Sequence, residues 1–247
     1  MDLITVHRDN AVMVLTLNRP DKRNALTQQM YSALSQALTE AEQDDAIRVI
    51  LLQGDAHCFT AGNDLNDFLQ SGPLTAETPV IQFIQLLPKL TKPLVAAVSG
   101  AAVGIGTTVL LHCDLVYASD TAKFQLPFVN LGLVPEAGSS ALLPALCGYP
   151  KAAELLMFGE PFDVQTAEQI GLINAVVAAE QVLPYALEKA QQLATRPPKA
   201  LMATKALLKQ AQPHDLAAVM EAELARFSDH LVSDETRAVI AAKLAKR

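Results

Sequence analysis

Leu94–Leu111 reads LVAAVSGAAVGIGTTVLL, 18 residues without a charge. Two folds compete for it. With GxxxG at Gly100 and Gly104, it has the length and small-residue spacing of a membrane-spanning helix. Cut at Ser99-Gly100, it becomes a buried strand over Leu94–Val98, a glycine turn, and a helix from Gly106 to about Cys113. Ser99-Gly100 is a breaker, the first five residues suit a buried strand, and neither end carries an aromatic anchor. The strand–turn–helix reading is the better one and commits the chain to an α/β fold with no membrane partner.

Working outward, the same alternation of elements repeats. Ala11–Leu17 alternates and predicts a strand, and NRPDKRNAL (18–26) is a loop. Thr27–Gln43 carries Met30, Leu34, Ala37, Leu38 and Ala41 at helical spacing. Ile47–Leu52 predicts a buried strand ending at Gly54, and Leu115–Ala118 a short one. Thr121–Val134 mixes extended pieces with loop. Beyond Gly138 helices dominate. Pro150 suits a helix start and Gly159 a stop, and Ala167–Gly171 is a short helix. Leu172–Val177 is a last strand, followed by helices near 181–194, 198–211, 214–230 and 234–246. Pro184, Pro197, Pro198 and Pro213 punctuate them. Interleaved strands and helices followed by a helical tail give an α/β core with a helical C-terminal region.

Composition excludes several functions. The chain has 247 residues, 51% of them hydrophobic, with 19 basic and 26 acidic side chains and a net charge of −7. That balance, with no Trp, argues against a nucleic-acid surface or a base-stacking platform. Cys58, Cys113 and Cys147 are widely spaced and show no CxxC, which suggests reduced thiols and no zinc site. MDLITVHRDN shows no signal-peptide pattern and AAKLAKR is not a peroxisomal address, so a cytoplasmic location is expected. His7, His57, His112, His214 and His230 show no paired metal-ligand spacing, and no metal is expected.

Three stretches could carry chemistry. Phe59–Leu65, FTAGNDL, follows a buried strand, and its small residues would let a ligand reach backbone N–H groups. The plainer reading is a polar turn with Asp64 capping a helix. Gly100–Thr108 feeds a helix N-terminus, aiming N–H groups at one point. It lacks GK[ST], and Val109 stands where a dinucleotide fingerprint has its third glycine. Asp120 could still mimic a ribose-binding acid, which leaves an NAD dehydrogenase as a rival. Gly132–Leu143, GLVPEAGSSALL, holds Glu136 among small and apolar residues with no local Lys or Arg. A solvated glutamate at a helix start is one reading. A carboxylate kept in an apolar place beside two backbone donors, the parts for proton transfer α to a carbonyl, is the other. Lys22 and Arg23 read as solvated, with phosphate binding as the alternative.

Taken together and in order, NRPDKRNAL (18–26), FTAGNDL (59–65), KPLVAAVSGAAVGIGTTVLLHCDLVYAS (92–119), FQLPFVNLGLVPEAGSS (124–140) and RPPKALMATK (196–205) resemble the enoyl-CoA hydratase/isomerase, or crotonase, family. The resemblance implies a spiral of ββα units over residues 1–190, a helical trimerisation region over 191–247, and trimers that can pair into hexamers. It implies acyl-CoA thioester ligands, with coenzyme A as part of the substrate and no other cofactor. By position, Ala61 and Ile105 match the family's oxyanion-hole amides. Lys22, Arg23, Ala25 and Leu26 in one loop, and Gly62, Asn63, Asp64 and Leu65 in the other, match its CoA-binding segments, with Gly104 beside them. The two catalytic glutamates of family hydratases fall on Thr108 and Phe128, neither of which can act as a base on water, so hydration is expected to be poor. A single acid at Glu136, with GNDL and PEAGSS, resembles the peroxisomal-type Δ3,Δ2-enoyl-CoA isomerases. Epoxide- or oxepin-CoA isomerases and non-catalytic acyl-CoA-binding members are the alternatives.

Overall fold

The computed structural model describes residues 2–70, 72–210 and 215–245. Pro213, His214 and the outermost residues of the helices expected at 198–211, 214–230 and 234–246 lie outside them, as do Lys246 and Arg247. Strands are β1 Ile4–Asp9, β2 Val12–Leu17, β3 Val49–Gln53, β4 Cys58–Thr60, β5 Leu94–Val98, β6 Ala101–Val103, β7 Leu115–Ser119, β8 Lys123–Gln125, β9 Phe162–Asp163 and β10 Ala175–Val177. Helices are α1 Gln28–Gln43, α2 Leu65–Gln70, α3 Pro79–Leu86, α4 Ile105–Thr108, α5 Ser139–Cys147, α6 Tyr149–Phe158, α7 Val164–Gln169, α8 Val182–Ala194, α9 Pro198–Gln210, α10 Leu216–Leu231 and α11 Asp234–Leu244.

The strands form two sheets, ordered β1-β2-β3-β5-β7-β10 and β4-β6-β8-β9. Consecutive strands divide between them. β3, β5 and β7 each run in the larger sheet, and the strand that follows each one joins the smaller sheet. This is the ββα spiral. Leu94–Val98 is completely buried between β3 and β7, as a strand covered on both faces must be. Among the described residues, no helix is long and apolar enough to cross a membrane.

Two layers of core hold the strands. Leu15, Ile50, Leu52, Ala96 and Val98 face the large core with α1 and α3. Their alternates Val14, Val49, Leu51, Val95 and Ala97 pack on Val182, Ala186, Ala190 and Ala194 of α8, a stripe at the i, i+4 spacing of one helix face. α8 thus belongs to the core and runs unbroken through residue 190. The boundary expected at 190/191 between spiral core and helical region falls inside this helix. Lys205 of α9 is fastened to the core, its Nζ donating to Lys92 O and Asp114 Oδ2, both at 2.7 Å.

Three expectations change. The helix expected from Gly106 to about Cys113 is one α-turn, α4, continued by a 3-10 turn over Val109–His112. The glycine turn before it contains β6, held by pairing with β4 and β8. Residues 66–88, where the sequence pattern predicts no element, contain α3 and all but the first residue of α2.

Candidate active site

The site starts from an unusual backbone. After a 3-10 turn at Val129–Leu131, Gly132 takes φ 73°, and Ala137 and Gly138 follow with φ 57° and 73°. A positive φ at alanine is strained, by roughly 1–3 kcal/mol. The surroundings hold it there. Buried His112 donates through Nε2 to Ala137 O at 2.7 Å, and Gly138 N–H donates to Glu223 Oε2 at 2.6 Å. Burial lowers the His112 pKa to about 4, so the ring is neutral.

This elbow turns Glu136 inward. It is only 8% exposed. Thr108 Oγ1, on α4, donates to its Oε1 at 2.5 Å, while Oε2 is buried with no partner. Burial raises the Glu136 pKa from the ordinary 4.5 to about 8; the Thr108 bond opposes the rise and the like charge of Glu223 adds to it. A carboxyl deprived of water and of half its hydrogen bonds holds a proton more tightly and is the stronger base.

Two loops face it. In the first, β4 runs into Ala61-Gly62-Asn63-Asp64. Gly62 has φ +84°, and a Cβ there would lie 2.7 Å from Val103 O, so only glycine lets this loop meet the β6–α4 turn. Ala61 N–H donates to Arg23 O at 2.9 Å and Asp64 N–H to Leu26 O at 2.8 Å. Asn63 N–H, between them, has no bond among the described residues. The expectation of Ala61 as an oxyanion donor is therefore corrected: its hydrogen is spent on the Arg23 carbonyl, and the free amide lies two residues on, at Asn63. In the second loop Gly104 (φ 57°, ψ −118°) opens α4. Ile105 N–H, at the first helical position, is likewise unbonded among the described residues, as expected of a helix N-terminus.

The remaining expected residues divide by role. Lys22, Arg23, Ala25, Asn63, Asp64 and Leu65 line an outer cleft of about 730 Å³. Ala61, Gly62, Asn63, Leu65, Gly104 and Ile105 line a middle cleft of about 420 Å³, with Phe128 and Lys243 beside them. Asn63 also borders a third, inner cavity of about 30 Å³ shared by Glu136, Glu223, Phe68, Ile84 and Phe227. The three spaces thus share Asn63 as a wall. Leu26 is the exception: it is buried and lines none of them, and its backbone instead pins Asn63 in a parallel bridge. Asp64 has structural duties as well, accepting from Arg19 Nη1 at 2.7 Å and from the amides of Asn66 and Asp67 at the start of α2.

Four residues of the site escaped the sequence reading. Buried Tyr31 hydrogen-bonds Asn63 Oδ1 through its hydroxyl. Its place in the apolar stripe of α1 reads only as core. Arg19 sits in the NRP loop already singled out. Glu223 and Phe227, on α10, reach the cavity from more than eighty residues away, and no local pattern marks them.

The sequence profile of the enoyl-CoA hydratase/isomerase family matches residues 7–247. The 1,2-epoxyphenylacetyl-CoA isomerase of Escherichia coli K12 is 36% identical over 230 residues, covering 90% of this chain and 88% of that protein. Enoyl-CoA delta isomerase 2 of Rattus norvegicus is 34% identical over 238 residues, covering 94% of this chain and 61% of that protein. Among solved structures, Pseudomonas aeruginosa OdaA is 44% identical, covers 99% of each chain and gives a TM-score of 0.96. With the crotonase spiral in place and the profile spanning nearly its whole length, the chain belongs to the enoyl-CoA hydratase/isomerase family.

Proposed function

We propose that the protein isomerises 3-enoyl-CoA to 2-enoyl-CoA thioesters by proton transfer through Glu136, with coenzyme A as part of the substrate and no other cofactor. The observation that carries this reading is the buried, unpartnered Oε2 of Glu136 on a cavity chain that also contains the free amides of Asn63 and Ile105. The thioester oxygen sits between those two N–H groups. Glu136 removes the C2 proton, the electron pair moves onto the thioester oxygen as an enolate, and the amides stabilise it. One such donor is worth roughly 3–4 kcal/mol. The protonated Glu136 then delivers the same proton to C4 as the double bond settles between C2 and C3. One carboxyl suffices because no water is consumed. Lys22 and Arg23, exposed on the outer cleft, suit the phosphates of coenzyme A.

Thr108 and Phe128 support isomerisation over hydration. The Thr108 hydroxyl is engaged with Glu136 and Phe128 lines the middle cleft, so the two positions that match the hydratase glutamates hold no acid to activate water. The isomerase name of the rat relative points the same way. A ring-type isomerisation is the second reading, on the name of the E. coli relative. The inner cavity disfavours it: about 30 Å³ has room for little more than a water-sized group, so a ring needs Phe68, Ile84 or Phe227 to move.

The test is a panel of 3-enoyl-, 2-enoyl- and 1,2-epoxyphenylacetyl-CoA thioesters. Fast conversion of 3-hexenoyl-CoA, slow hydration of crotonyl-CoA, and loss of at least about 10³-fold in kcat for Glu136→Gln with binding retained are expected. Unchanged turnover in that variant removes Glu136 from the chemistry.

A further inference from the structure

We propose that Glu223 of α10 is a positioning residue for Glu136, fixing the elbow that presents it and placing a second carboxyl group beside it. The proposal builds on the proton-transfer role given to Glu136 above.

Glu223 is only 8% exposed. Among the described residues no Lys, Arg or His forms an ion pair with it. A buried carboxylate without a cation needs donors, and it has three. Gly138 N–H donates to Oε2 at 2.6 Å, while Ser140 N–H and Ser140 Oγ donate to Oε1 at 2.9 and 2.5 Å. All three come from the start of α5, whose positive dipole end adds to them.

Helix starts are ordinarily capped by a side chain next to them in sequence. α5 has glycine at its N-cap and no side-chain cap of its own. The cap comes instead from 83 to 85 residues away, as a full charge on the wall of the cavity that Glu136 also lines. A local serine would close the helix equally well without supplying that charge.

The groups around Glu136 make this charge count. Thr108 from α4 is a neutral donor. Tyr31 from α1 has its pKa pushed well above 10.0, by burial first and by Glu136 next, and stays neutral. His112, behind the Ala137 carbonyl, is neutral as well. That leaves Glu223 as the charged side chain acting on Glu136, and its effect is to favour the protonated form. Like charges confined to one site drive one member to take up a proton. Taking the C2 proton relieves this repulsion. The negative charge then sits on the thioester oxygen, at the amides of Asn63 and Ile105.

Glu223→Gln is close to isosteric and removes the charge. The acid limb of kcat/KM against pH is expected to move down by about one pH unit. Glu223→Asp, which keeps the charge, is expected to restore it toward the wild-type position. Ser140→Ala removes a donor and leaves the charge, so it lowers Tm without moving the limb. In parallel, the side-chain carboxyl carbons of 13C-labelled substrate-free protein are titrated by NMR, with Glu136→Gln assigning the Glu136 signal. In the wild type, the Glu136 signal should titrate well above the ordinary 4.5, a result that needs no variant to fold. An unmoved Glu136 titration in a folded Glu223→Gln protein overturns the proposal. So does a wild-type Glu136 that titrates at the ordinary 4.5. If the NMR shift is found but no thioester is isomerised, Glu223 keeps its role and the assigned reaction fails.

Discussion

Glu136, to which the proposed proton transfer is assigned, also taxes the fold. Burial favours its protonated form. In the window between 4.5 and about 8, the folded chain holds a proton that the unfolded chain has released. Stability from this group is therefore fully present below about 4.5 and is lost as pH rises through about 8. Glu136→Gln is neutral throughout and escapes the loss. The variant is expected to lie within about 1 kcal/mol of the wild type near pH 5 and to gain on the order of 4 kcal/mol relative to it by pH 9, measured by urea unfolding at both pH values. A gap that closes as pH rises overturns the raised pKa. At this scale the sequence was half legible. A lone acid in GLVPEAGSS with no local cation already posed the question of its burial. The choice between the Ala61 and Asn63 amides was not legible, because it turns on which N–H the Arg23 carbonyl occupies, a contact between segments 38 residues apart.

The β6–α4 segment carries the second burden. Gly104 has φ 57° and ψ −118°, yet nothing lies within 4 Å of the place a Cβ would take. Glycine is required there by backbone conformation alone. Gly104→Ala is expected to cost about 1–3 kcal/mol and to lower kcat far more than that loss of stability suggests, because the peptide that aims Ile105 N–H must rotate. Normal kcat in a folded Gly104→Ala protein removes Ile105 from the oxyanion site. Long elements were readable in the sequence: α1 begins one residue after its Thr27 cap, as its periodicity predicts, and Leu94–Val98 is a strand end to end. Short ones were not. β4, β6 and β9 have two or three residues each, too few for a period, and exist because the strands beside them supply hydrogen bonds. β1 is an edge strand with a mostly exposed face, so its polar residues hide it.

The whole molecule leaves one face unexplained by its own packing. The chain's last described helix is spent on the site, with Leu244 on the outer cleft and Lys243 on the middle one. By contrast Tyr149, Met157 and Phe158 of α6 are 69%, 62% and 66% exposed, and Val129 nearby is 53% exposed. Asn130 Nδ2 donates to Phe158 O at 2.9 Å, which locks the Val129–Leu131 turn against α6. Large apolar side chains fixed side by side at a surface are the mark of an interface. Because Val129–Leu131 leads directly into the Glu136 elbow, burying this face in a second copy would stiffen the catalytic backbone. Light scattering at micromolar concentration is expected to find an oligomer, in keeping with the trimers the family resemblance implies. The double variant Met157→Asp, Phe158→Asp should yield smaller species with lower kcat, since neither residue touches the clefts. A wild type that is monomeric at tens of micromolar, or a dissociated variant with full activity, breaks the link between this face and the site.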